Sequence, residues 1–190
     1  MCPDSSNLPE KWNDRLLACL IEHIVETHHV YCRTEAPRLG SLFTEVIGRH
    51  GKAHPELKGT QSLFSKMSRD LSMHLLKEEQ TLFPYIVRVE EAIAQKASFA
   101  WPPFGTVESP IRMMVLEHDQ TDEEIKEIRK LSGQYTPPAD AGDRYAALYD
   151  GLAAFDRDMQ QHIDFENNIL FPRAIAMEAQ ACTRQRVHGG

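Results

Sequence analysis

The sequence predicts an all-α fold, an up-down-up-down bundle of four long helices. Three observations lead there. Apolar residues recur at helical spacing along four long stretches. The breaks between those stretches carry Gly and Pro, which interrupt helices. No alternating strand pattern of useful length competes with them. Short helix–helix connections make successive helices antiparallel, which gives the bundle topology.

The 190-residue length suits one domain with a substantial core. Residues 1–11 hold two prolines and small polar residues and read as a flexible lead-in. The first helical pattern runs from about Trp12 through Leu16, Leu20, Ile24 and Tyr31. A kink is expected at Pro37, because proline removes a helix hydrogen bond. The pattern resumes with Leu39, Leu42, Phe43, Val46 and Ile47 and stops near Gly51, Pro55 and Gly59. A second helix is expected from about Thr60 to Gln95. Residues 98–110 form a proline-rich, aromatic connector that should pack over one end of the bundle through Trp101 and Phe104. Ser109-Pro110 opens the third helix, with proline in its first turn; that helix continues to Leu131. Residues 133–143 supply the next turn. A fourth helix reaches about Ala179, and 180–190 read as a disordered tail. The bundle domain is therefore 12–179.

Charge and cysteines narrow the function. A formal charge of −7 argues against nucleic acid or a membrane surface as the main partner. No apolar run approaches the length that crosses a bilayer. The N-terminus has Pro3, Asp4, Pro9 and Glu10 where a signal peptide would be apolar. The four cysteines, Cys2, Cys19, Cys32 and Cys182, form no CxxC motif and read as reduced thiols of a cytoplasmic protein. A monomer or weak dimer is expected.

The chemistry is carried by an internal repeat. SRDLSMHLLKEEQTLFPYI at 68–86 and DRDMQQHIDFENNILFPRA at 156–174 share Arg69/Arg157, Asp70/Asp158, His74/His162, Glu78/Glu166, Leu82/Leu170, Phe83/Phe171 and Pro84/Pro172. A solvated charged face has no need to repeat its identities so closely. In each HxxxE the two residues stand one turn apart on one face, about 6 Å along the axis. Helices two and four lie diagonally in a bundle, so the two pairs can face each other across the core. The remaining ligands must come from the other helices. Helix three offers His118, below Met114 and Val115. Helix one offers His23, His28 and His29; His29 continues the line of Val25, Cys32, Ala36 and Leu39, whereas His28 follows Ile21 and Ile24. Periodicity does not choose between them. His50 and His54 lie roughly 30 Å further along a continuous first helix, which leaves them outside the site, at the bundle end.

Four imidazoles with two carboxylates exceed what one tetrahedral zinc needs, and no thiolate is placed to help. Mixed nitrogen and oxygen ligands suit iron, with Glu78 and Glu166 bridging two ions and an oxo or hydroxo group completing the bridge. Buried unpaired glutamates would otherwise carry a large desolvation cost. Asp70 and Asp158, one turn before His74 and His162, are expected to accept a ring N–H from them.

These stretches resemble the hemerythrin-like HHE cation-binding family, and within it the di-iron proteins that repair iron centres, the YtfE/ScdA group. The resemblance rests on HIVETHHVYCRTEAPRL, VIGRHGKAHPEL, HLLKEEQTLFPYI, SPIRMMVLEHD, Tyr135-Thr136-Pro137-Pro138 and HIDFENNILFPRA, in that order, and spans roughly 12–178. It implies His29, rather than His28, as the first-helix ligand, with His74 and Glu78, His118, and His162 and Glu166. It makes Glu117 an acidic residue near the cavity, a relay for protons or iron. The function implied is protection or repair of damaged iron–sulfur proteins by iron delivery, or by binding and reducing nitric oxide with electrons from an unnamed donor. The alternative is a sensor or scavenger of nitric oxide or oxygen without turnover. Ferritin-like sites use ExxH elements, which this chain lacks. A hemerythrin-type oxygen carrier needs HxxxH on helix three, where Asp122 stands instead. Relatives often carry an N-terminal cysteine-containing domain, and Cys2 alone does not replace one.

Overall fold

The computed structural model describes residues 12–188, with side chains through Thr183. The expected lead-in at 1–11 and the last two residues of the tail lie outside the described residues. Four long helices form the bundle, and the described residues contain no strand.

The first helix comprises α-helical Leu17–Ile24 and Val30–His50 on either side of a π-helical turn, Val25–His29. It begins after Leu16, later than the expected Trp12. Glu90 acts as its cap from another helix, accepting the Leu17 and Ala18 amides at 2.7 and 2.9 Å. Pro37 does not interrupt it. Pro37 and Arg33, whose carbonyl loses its N–H partner there, are both on the exposed face, where water can serve that carbonyl.

The second helix comprises Glu56–Lys77, a π-turn Glu78–Leu82, and Phe83–Gln95. The third is Glu108–Leu131. The fourth comprises Asp143–Phe165, a π-turn Glu166–Leu170, and Phe171–His188. The fourth helix thus continues beyond Ala179 to His188, so 180–188 are helical rather than a disordered tail. Ala181 packs into the core, and neither Gly nor Pro stops the helix before Gly189.

The repeated Leu-Phe-Pro explains two of the π-turns. Pro84 and Pro172 have no N–H for the carbonyl four residues back, and their rings would strike it. The wider turn relieves that clash, and Phe83 and Phe171 donate instead to the carbonyls of Glu78 and Glu166, five residues back. In the first helix the π-turn joins two apolar stripes that differ in phase. Leu17, Leu20, Ile24 and His28 lie on one stripe, and His29, Cys32, Leu39 and Val46 on the next; all are buried.

The first helix packs on the second and fourth, and the third packs on the second and fourth, so the first and third are diagonal. Helices two and four are the other diagonal pair, and they also meet near their C-terminal ends. The connector after helix two is anchored by Val107, whose amide donates to the buried carboxylate of Glu178, and by Phe104 against Tyr85. Trp101 does not pack over the bundle as expected; it is 50 % exposed. Its ring instead meets Phe99 within the connector, with centroids 5.5 Å apart. The expectation of four reduced thiols does not hold: Cys32 carries a free thiol, but Cys19 is disulfide-bonded. Composition speaks to compartment, not to which sulfurs lie close together.

The apolar core is in two parts. One cluster joins Leu20, Ile24, Phe83, Ile86, Met114, Phe165 and Phe171; the other joins Leu39, Phe43, Phe64, Leu71, Ile125, Leu152 and Phe155. Between them lies a layer of buried histidine and glutamate.

Candidate metal centre

That layer brings His29, His74, Glu78, His118, His162 and Glu166 together, each nearly or fully inaccessible to solvent. They form two groups that share both glutamates. His29, Glu78, His162 and Glu166 make one group, and His74, Glu78, His118 and Glu166 the other.

Each carboxylate divides its oxygens between the groups. Glu78 Oε1 lies 3.3 Å from His74 Nε2, and Oε2 lies 3.5 Å from His29 Nε2. Glu166 Oε1 lies 3.0 Å from His162 Nε2, and Oε2 lies 3.0 Å from His118 Nε2. The paired imidazole nitrogens are 3.2 Å apart for His29 and His162 and 3.1 Å for His74 and His118. Adjacent ligands at right angles on bonds of about 2.1 Å stand about 3.0 Å apart, so these spacings suit a shared metal ion in each group.

The donor chemistry passes a second test. Both oxygens of Glu78 are buried without a hydrogen bond, as is Oε2 of Glu166 by hydrogen-bond geometry. A native interior rarely leaves a carboxylate in that condition. Cations between the two groups would satisfy those oxygens. Neutral nitrogen and anionic oxygen donors, without thiolate, suit a pair of iron ions. The buried thiol of Cys32 is pushed well above its ordinary value by burial and does not belong to either group.

The outward nitrogens of three of these histidines are held by residues on neighbouring helices. His29 Nδ1 donates to Glu79 at 2.6 Å, His74 Nδ1 to Glu117 at 2.8 Å, and His118 Nδ1 to Asn167 at 2.9 Å. These bonds fix ring orientation and place the free lone pair on Nε2, facing the centre. Asp70 and Asp158 do not take the role expected of them. Asp70 is exposed and pairs with Lys66 at 3.0 Å. Asp158 reaches the first helix, where it binds His28 Nδ1 at 2.9 Å. The ring N–H of a core histidine points across to the next helix, beyond reach of a carboxylate one turn earlier on its own. Glu79 and Asn167 were missed as partners. Each directly follows one of the two shared glutamates, and the repeat sets one against the other.

His28 is as buried as His29 but belongs to neither group. His50 and His54 lie against Tyr145 at the end of the first helix, and His54 bonds Glu56 and Asp140.

Electrostatics follow from these contacts. Burial pushes His74 down, but Glu78, Glu166 and Glu117 outweigh it and carry the imidazole up to about 9. Burial likewise opposes the charge on His162, and Glu166 reverses the result, raising it. Glu166 is held well below the carboxylate range, with burial outweighed by His162 and His118. Glu117 is lowered because Lys77 and His74 overcome its burial, and Glu79 because His29 and Arg33 do the same. Without metal, His74 and His162 are thus biased toward imidazolium and Glu166 toward carboxylate. Metal must displace those protons.

Residues 20–174 match the hemerythrin HHE cation binding domain. The chain belongs to that family. Among its curated relatives is a probable iron-sulfur cluster repair protein of Haemophilus influenzae, 36% identical over 171 residues, which cover 90% of this chain and 71% of that protein. The iron-sulfur cluster repair protein YtfE of Escherichia coli O81 is 33% identical over 90% of this chain and 72% of its own length. Its counterpart from Salmonella schwarzengrund is 32% identical over the same shares. In this hemerythrin domain, the matched segment contains all six residues of the buried layer. No helix among the described residues is long and apolar enough to cross a membrane.

Proposed function

We propose that this chain is a cytoplasmic, non-haem di-iron protein of nitrosative and oxidative stress that supports repair of damaged iron–sulfur clusters. The observation that carries this reading is the division of Glu78 and Glu166 oxygens between two histidine pairs. His29 and His162 would hold one iron, His74 and His118 the other, and both glutamates would bridge, with an oxo or hydroxo group between the ions. Names of the relatives support cluster repair as the use of that centre. Bound iron would supply a ferrous ion for transfer, or two one-electron equivalents, which with two protons turn two nitric oxide molecules into nitrous oxide and water.

The chain's own residues set the conditions. The two apolar clusters exclude water above and below the ligand layer. Glu117 joins the layer to the surface. One oxygen accepts from His74 Nδ1, the other pairs with Lys77, and its side chain is 32 % exposed. That position suits a residue that holds a proton at the edge of the site or meets an iron ion on its way in or out. Damaged iron–sulfur proteins are the clients, and a separate electron donor reloads the centre.

Incubating the iron-loaded chain anaerobically with an apo iron–sulfur protein tests the repair reading. Cluster recovery that tracks iron loss from this chain is expected. Stable retention of both irons, with nitric oxide bound once and no turnover, would instead mark a sensor or scavenger.

A further inference from the structure

The two halves of the centre are related by the internal repeat. His29 stands opposite His118, His74 opposite His162, and Glu78 opposite Glu166. The supporting residues follow the same relation. Glu79 holds His29, and its repeat counterpart Asn167 holds His118. Glu117, which precedes His118, holds His74. By that relation the support of His162 should be the residue preceding His29. That residue is His28, an imidazole where the other half has a carboxylate.

His28 is fully buried beside His162, with ring planes 2° apart and centroids 5.7 Å apart. Its Nδ1 lies 2.9 Å from Asp158. A carboxylate only accepts, so Nδ1 carries the proton and Nε2 is left as a lone pair. That Nε2 is buried with no partner. His162 has the opposite need. Its Nε2 lies in the ligand layer, 3.0 Å from Glu166 Oε1; with iron on that nitrogen the proton would sit on Nδ1, and this Nδ1 is also buried with no partner. A buried donor and a buried acceptor, each costly if left unpaired, would thus sit on adjacent parallel rings.

We propose that His28 is a positioning residue for the iron held by His29 and His162, through an Asp158–His28–His162 relay. With iron on His162 Nε2, His162 Nδ1–H donates to His28 Nε2, a bond the metal-free rings do not make, while His28 Nδ1–H donates to Asp158. The relay fixes the ring and tautomer of His162 as Glu117 does for His74. It also evens the charge. Glu79 already backs His29, so an imidazole behind His162 gives that half one carboxylate-backed and one neutral-backed histidine. The other half has the same pair, with Glu117 behind His74 and Asn167 behind His118.

The relay rests on the di-iron reading, and the test separates the two. The full chain and three variants are loaded with iron anaerobically: His28→Phe, His28→Gln and Asp158→Leu. Ferrous release to a chelator, Mössbauer spectra and the exchangeable ligand N–H resonances are recorded, with circular dichroism to establish folding. In H28F one iron should leave about 10–100-fold faster while the other keeps the parent rate. One Mössbauer doublet should shift, and one N–H resonance should be lost. H28Q, which restores an acceptor, should return release to within a few-fold of the parent. D158L should accelerate the same iron, by less. Parent-like release and spectra in H28F would overturn the relay, as would equal acceleration of both irons. If H28F does not fold, D158L decides, and parent-like behaviour there overturns the proposal. A parent chain that never holds two irons would overturn the di-iron reading and the relay with it.

Discussion

Raising the pH from 7 to 9 should tighten metal binding in the His74/His118 half while weakening the metal-free fold. His74 is carried up to about 9 by Glu78, Glu166 and Glu117 against its burial. At pH 7 an incoming ion must therefore expel a proton held about two pH units above the solution. That is roughly a 100-fold penalty, or about 3 kcal/mol. Apparent affinity should rise about tenfold per pH unit from 7 to 9 and then level off. The metal-free protein should respond in the opposite sense. A histidine raised on folding contributes stability that is complete below its unfolded value of about 6.5, and that contribution is lost as pH climbs through about 9. Competition against a chelator with a divalent probe ion, at half-unit pH steps, reads the first effect. Thermal unfolding of metal-free protein at the same pH values reads the second. Affinity that is flat between pH 7 and 9, with no proton released on binding, would refute the reasoning.

Other expectations follow from single contacts. Glu79→Ala removes the carboxylate behind His29 and should weaken iron in that half about 10–100-fold, read by chelator competition. Asp70→Ala should leave iron content unchanged and alter stability by less than about 1 kcal/mol, because its partner Lys66 is a surface group. Asp156→Ala should cost about 1–3 kcal/mol in denaturant unfolding without changing iron stoichiometry, since its buried carboxylate serves the half-buried Arg129 and Tyr135 together. His50→Ala should keep both irons on metal analysis; loss of both would contradict its place at the bundle end beside Tyr145.

The bundle was legible because its signals are local. Apolar period, Pro110 near a helix start and Gly51 after a helix end each point to one structure. The HxxxE repeat placed two pairs of ligands on facing surfaces, and His118 was the single histidine helix three could offer. Other features depend on geometry that a regular period hides. His28 and His29 fall on different stripes of an ideal helix, yet the π-turn Val25–His29 turns both inward. The phase shift between Ile24 and Cys32 was its trace in the sequence. Asp70 and Asp158 serve Lys66 and His28 instead of His74 and His162, because spacing along one helix says nothing of where a ring N–H points. The partners of His29, His74 and His118 come from neighbouring helices, and cross-helix register has no local signature. The end of helix four was misplaced for a similar reason. Packing of Ala181 into the core extends a helix that composition alone would have released.

The central claim is that Glu78 and Glu166 join two histidine pairs into one centre that holds two iron ions. Mössbauer spectroscopy on anaerobically loaded protein, combined with metal analysis, addresses it most directly. About two irons per chain, magnetically coupled through the shared carboxylates, is the predicted result. A single bound ion, or two ions with no coupling between them, would contradict it.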